Sequence, residues 1–141
     1  MGGVAAFSPW MLSILRIVTG LIFLAHGSSK LLGFPPPGPE MPANPPLMSL
    51  MGIGGLLELV GGALIVLGLF TRPVAFLLAG EMAVAYWMFH APQSPYPMLN
   101  GGDAAILYCF VFLYLVFAGP GPWSLDALRR GGARTAAFAT R

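Results

Sequence analysis

A chain of 141 residues that is 57% hydrophobic and 9% charged, with a mean hydropathy of +0.79, has too little polar surface to cover a soluble globule. It reads as an integral membrane protein of one domain, with room for about four spans of roughly 20 residues and none for a large aqueous domain. A formal charge of only +2, with the basic residues gathered in the tail, argues against nucleic acid as a partner, and the lone Cys109 excludes an internal disulfide or dithiol pair within one chain.

The first residues lack a basic n-region, so no cleavable signal peptide is expected. The first apolar segment runs from about Pro9 to Leu32. It is followed by "GFPPPGPEMPANPP", whose seven prolines cannot continue a helix and favour an extended connection. A second segment covers about Leu47 to Phe70, and only "TR" separates it from a third, Pro73 to Phe89, which predicts a tight helical hairpin. The turn-rich "HAPQSPYPMLNGG" then leads to a fourth segment, Asp103 to Ala118. Backbone in lipid must satisfy its own hydrogen bonds, and none of these runs alternates as barrel strands do. The expected fold is therefore all-α: an integral membrane four-helix bundle over residues 1–130, with spans at 9–32, 47–70, 73–89 and 103–118 and a flexible basic tail at 131–141. The fourth span is short, since sixteen residues cover about 24 Å of a core about 30 Å thick.

Arg72 and the tail arginines Arg129, Arg130, Arg134 and Arg141 fall on one side, whereas the two proline-rich loops contain no Lys or Arg. The positive-inside tendency then places both termini in the cytoplasm and the loops outside. Past the last span, "GPGPWSLDALRR" predicts a turn, an interfacial Trp123 and a short helix capped by Ser124 and ending in two arginines.

Within the first segment, Arg16, Thr19, Gly20, Phe23, His26, Gly27 and Lys30 share one helical face at about 100° per residue. On the second, Glu58 lies near mid-depth among Gly54, Gly55, Gly61 and Gly62, small residues that admit a neighbouring backbone. Glu81 of the third segment falls at nearly the same depth. Helical rise puts Arg16 about 6 Å below the centre of its span, so Arg16, Glu58 and Glu81 are expected to pair. Such a triad serves packing as readily as function. Lys30, near the external end, is expected to snorkel to the surface, and His26 to need a partner below it. His90 reads as an interfacial residue.

Other chemistries fit poorly. The two histidines lie at different depths, unlike paired haem ligands, and no cluster of three or four metal ligands is present, so no metal is expected. The aromatic residues of "AYWMFH" and "LYCFVFLYLVF" read as lipid-facing or packing side chains rather than the walls of a ring-shaped pocket.

The ordered set Arg16, Gly20, Phe23, His26, Gly27, Lys30, Leu31, Gly33 and Phe34, then Glu58 and "GGALIVLGLFTRP", then "NGGD", then "GPGPWSLDALRR", resembles the DoxX family of small four-helix membrane proteins. The likeness extends from Leu15 to about Arg130. It implies a protein of the bacterial or archaeal cytoplasmic (inner) membrane, related to proteins described as a subunit of a thiosulfate:quinone oxidoreductase or as a membrane partner of a sulfurtransferase and a superoxide dismutase. It carries no catalytic residue onto this chain.

The expectation is thus a membrane subunit of a quinone-linked or oxidative/thiol-stress redox system. Its buried polar cluster of Arg16, His26, Lys30, Glu58 and Glu81 is the candidate site for a cofactor such as a quinone, with protein partners, or a second copy of the chain, alongside it in the bilayer. A non-catalytic scaffold that recruits partner proteins is the alternative. A small proton-coupled transporter is less favoured, because no paired broken helices are visible.

Overall fold

The structure, a computed structural model, describes residues 3–39 and 44–131. A 3-10 turn, Val4–Phe7, leads into α1, Ser8–Leu32; α2 is Leu50–Leu67 and α3 Thr71–Ala85. A π-helical segment, Tyr86–His90, prolongs α3, and the short α4, Pro97–Asn100, precedes α5, Asp103–Ala118. No strand occurs among the described residues. The expected flexible tail, with Arg134 and Arg141, lies outside them apart from Gly131.

Local chemistry sets the helix ends. Pro9 stands in the first turn of α1, where its missing N–H has no helical partner to lose, and Gly33 closes the helix at φ 69°, a left-handed value that costs glycine little. The second helix starts at Leu50 rather than Leu47 because Ser49 is its cap, its Oγ accepting from the Gly52 amide at 3.1 Å. The third starts before Pro73, which falls within its first turn. The helix expected after the last span is present over residues 125–131, with Ser124 Oγ accepting from the Ala127 amide at 3.1 Å.

The helices α1, α2 and α3, the last with its π-helical extension, are long and apolar enough to cross a membrane; α5 is shorter. They carry outward residues such as Leu21, Phe76, Phe110 and Phe117, all exposed in the isolated chain and suited to lipid. Lipid tails are as apolar as leucine, so close backbone packing rather than hydrophobic burial must join the helices. The seam between the antiparallel α1 and α2 is made by glycine: a Cβ on Gly27 would lie 2.3 Å from the Leu59 nitrogen, and one on Gly62 2.8 Å from the Leu24 nitrogen. The other extensive contact joins α3 to α5, and Phe23 links the two pairs through an edge-on contact with Phe112 at 4.9 Å.

Both described ends of the chain meet at one pole of the bundle, where Trp10 and Trp123 lie 5.3 Å apart. The proline-rich loops occupy the other pole. The interior face predicted for α1 is the observed one: Arg16, Thr19, Gly20, Phe23 and Gly27 are buried, while His26 and Lys30 are half-buried.

Candidate functional site

The expected five-residue cluster divides between the two poles. Arg16 does not pair with Glu58 or Glu81. Its Nε donates to the Pro120 carbonyl at 2.7 Å, its Nη1 to the carbonyls of Ile65 and Val66 at 2.5 and 2.6 Å, and its Nη2 to that of Trp123. Two of these acceptors lie in the last turn of α2, where the Ile65 carbonyl also accepts from the Gly68 amide at 3.1 Å, so the guanidinium adds donors at a helix end and ties the chain after α5 to it. Arg72 does the same for α5, donating to the carbonyls of Val116 and Phe117.

The reason is directional. Side chains on a helix lean toward its N-terminus. On α1 this tilts Arg16 away from the midplane and toward the pole that holds the chain ends. It tilts Lys30 inward as well, so Lys30 does not snorkel: Nζ donates to Glu58 Oε1 at 2.7 Å, with the side chains only 13% and 5% exposed. On the antiparallel α2 the same lean brings Glu58 up to meet it.

The remaining polar residues gather around this ion pair. Glu81 of α3 reaches across to α2 at Gly54, where a Cβ would stand 3.3 Å from Glu81 Oε1, so the absence of a side chain leaves the carboxylate its room. Oε2 of Glu58 and Oε2 of Glu81 are both buried without a hydrogen-bond partner among the described residues. His26 Nδ1 lies 2.9 Å from the Ile22 carbonyl, which can only accept, so Nδ1 carries the proton and Nε2 is left to face elsewhere. The His26 ring stands edge-on to Tyr108 of α5, with centroids 6.0 Å apart.

These groups line one cavity of about 1240 Å³ between the two helix pairs. Its walls are largely apolar, with His26, Lys30, Glu58, Glu81 and Tyr108 among the few polar side chains. Loop residues Pro39, Gln93 and Gly101 border it at the loop pole, while Phe23 and Ala79 line it deeper in. An apolar cavity with a few convergent polar groups is the usual form of a small-molecule site. No group of three or more His, Cys, Asp or Glu residues suited to a metal occurs among the described residues.

Three residues join the site that sequence reasoning had set aside. Tyr108 sits in a helix apolar on every side, so periodicity carries no sign that it turns inward. His90, expected at the interface, borders the same cavity, with Nδ1 donating to the Asn100 carbonyl at 2.9 Å. Cys109 also lines it, as a free thiol.

The chain is similar in sequence to several bacterial proteins. An uncharacterized protein of Haemophilus influenzae is 40% identical over 132 residues, covering 89% of this chain and 96% of its own. An uncharacterized membrane protein of Mycobacterium tuberculosis is 30% identical over 159 residues, covering 96% of this chain and 90% of its own. The inner membrane protein YphA of Escherichia coli is 33% identical over 129 residues, covering 86% and 91%. No solved structure matches the chain. A family model described as DoxX matches residues 11–91, the stretch that contributes α1, α2, α3 and four of the five expected site residues on the cavity, and with these relatives it places the chain in the DoxX family of membrane proteins.

Proposed function

We propose that this protein is a membrane subunit of a redox system, quinone-linked or acting in oxidative or thiol stress, and that its cavity holds the ring of a quinone-type ligand. The observation that carries this reading is the cavity itself: apolar walls deep in the bundle, with the Lys30–Glu58 pair, Glu81 and His26 converging on one part of it. A lipid-soluble ring with an apolar tail and two polar edge atoms suits such a surface, which Tyr108 lines with an aromatic side chain. Partner proteins would supply the electron chemistry, since a single cysteine builds no dithiol pair within one chain. The same reading sets both chain ends and Arg72 on the cytoplasmic side of the inner membrane, with the cavity bordered by loops facing outward.

The test is extraction of the purified full-length protein, isolated from native membranes in mild detergent, with analysis of the extract for quinones. Co-purification of a quinone at close to one per chain, reduced several-fold by His26→Gln at unchanged protein yield, supports the reading. A lipid-only preparation that retains wild-type stress resistance when His26 and Lys30 are both replaced by Gln would transfer the assignment to a scaffold that recruits partners.

A further inference from the structure

The cavity is walled on one side of the bundle and open on the other. Between α1 and α5 aromatic contacts close it: Phe23 packs against Phe112 and Tyr108 with centroids 4.9 and 5.2 Å apart, and His26 against Tyr108 at 6.0 Å. The helices α2 and α3 touch toward the pole of the chain ends, where a Cβ on Gly61 would lie 2.7 Å from Leu78 Cδ2. Nearer the loop pole the Glu81 side chain reaches across to Gly54. From that level outward, Leu50 and Ile53 of α2, Val84 of α3 and Phe89 of its π-helical extension all line the cavity, yet each is between 41% and 47% exposed. The cavity thus runs out to the surface between α2 and α3. Both elements are long and apolar enough to cross a membrane, so this mouth faces lipid, and its four edge residues are apolar. The α3 wall passes into π-helix at the same level, over Tyr86–His90, a rare geometry that recurs at functional sites.

Polar groups stand opposite the mouth, with His26 and Lys30 on the α1 wall and Tyr108 on the α5 wall. A ring seated against them leaves its apolar tail pointing out between α2 and α3, into the acyl chains. Exchange by way of the loop pole would draw every methylene of that tail through water, at a cost that grows with its length. Through the side, the tail stays in a medium as apolar as itself. Resting on the quinone-type reading above, we infer that the mouth between α2 and α3 is the tail exit of the site. The ligand class is then a long-tailed amphiphile that exchanges sideways with the bilayer, its ring inside and its tail passing between Ile53 and Val84.

The experiment uses the full chain in lipid nanodiscs and a ring-substituted benzoquinone whose alkyl tail carries a photoreactive diazirine near the ring. After irradiation, labelled positions are identified by mass spectrometry of digests, with and without an excess of the same quinone lacking the diazirine. The expected label falls on Leu50, Ile53, Val84 or Phe89 and drops at least about tenfold under competition. Competed label confined to the loops, or to the outer faces of α1 and α5, overturns this inference and leaves the quinone-type reading standing. Label that no excess displaces at any position overturns both. Complete disulfide dimerisation of Ile53→Cys in a Cys109→Ala background would give the mouth to a second copy of the chain and overturn the inference as well. In the double variant Ile53→Trp with Val84→Trp, indoles crowd the mouth. The long-tailed quinone should then bind at least about tenfold more weakly, while its tailless parent binds as it does to the wild type. Equal effects on the two ligands count against the tail exit. The wild-type labelling decides even if a variant does not insert.

Discussion

Lys30 Nζ and Glu58 Oε1, 2.7 Å apart, join α1 to α2 with a buried ion pair whose second carboxylate oxygen has no hydrogen-bond partner among the described residues. The pair uses one of the three Lys30 hydrogens and one of the two Glu58 oxygens. Removing the cation therefore strands a carboxylate, whereas removing both charges does not.

For Lys30→Met the expected loss is about 3 kcal/mol of stability, the usual cost of breaking a buried pair from one side. The double variant Lys30→Met with Glu58→Gln should regain most of it. Reversible unfolding in a fixed detergent mixture measures both. Additive losses, with no recovery in the double variant, would show that the two side chains act independently.

Arg16 should behave differently, because its partners are carbonyls rather than acids. Arg16→Leu withdraws the guanidinium from four carbonyls, of which Ile65 keeps the Gly68 amide, and each one left without a donor costs about 1 kcal/mol or more where water cannot reach. Lys is no substitute, since one ammonium cannot span acceptors on two chain segments as a planar fork does. Neither variant should be rescued by Glu58→Gln or Glu81→Gln. Rescue by either acid substitution in the same unfolding assay would restore the charge triad expected from helical depth alone.

The seam between α1 and α2 predicts a sharp contrast between two glycines. Gly27→Ala forces a Cβ toward the backbone of Leu59 and should cost about 1–3 kcal/mol through overpacking, since no flexible side chain is there to yield. Gly80→Ala, on α3 with nothing within 4 Å of the new Cβ, should be neutral or gain about 1 kcal/mol from helix propensity. Thermal midpoints of both variants in one detergent check this. A Gly27→Ala protein as stable as the Gly80→Ala protein would contradict the close approach.

Asp126 makes the network at the pole of the chain ends pH-dependent. Its carboxylate accepts from the Phe70 amide at 3.0 Å and the Thr71 amide at 2.9 Å, capping α3 from another part of the chain. It also steadies Phe70, a non-glycine residue at φ 52°. Partial burial pushes the carboxyl upward, but the two amides and the charge of Arg129 outweigh it, so its folded pKa lies below the ordinary aspartate value. A depressed folded value means a stabilising contribution present in full above the unfolded pKa of about 4, and lost as pH falls through the folded one. Asp126→Ala should cost about 1 kcal/mol at pH 7. That difference from wild type should shrink steadily below pH 4, and a difference constant down to pH 2.5 would rule out the carboxylate as its source.

Much of this molecule is written in local sequence. Hydrophobic run length and the scarcity of charge are enough to fix a helical membrane bundle, because lipid admits few other ways to satisfy a backbone. The prolines and glycines between runs mark the ends of the helices α1, α2, α3 and α5 to within a few residues, and 3.6-residue periodicity picks out the inward stripe from Arg16 to Lys30, since a helix face is a property of one segment by itself. The partners of those residues are not. Depth counted along α1 places Arg16 within reach of Glu58, but the lean of side chains toward a helix N-terminus carries Arg16 to the carbonyls at one pole and Lys30 down to the acid. Only the antiparallel packing of α2, at the spacing allowed by Gly27 and Gly62, brings Glu58 up to Lys30. The inward turn of Tyr108 and the cavity between the two helix pairs arise in the same way, from gaps between surfaces that lie far apart in sequence.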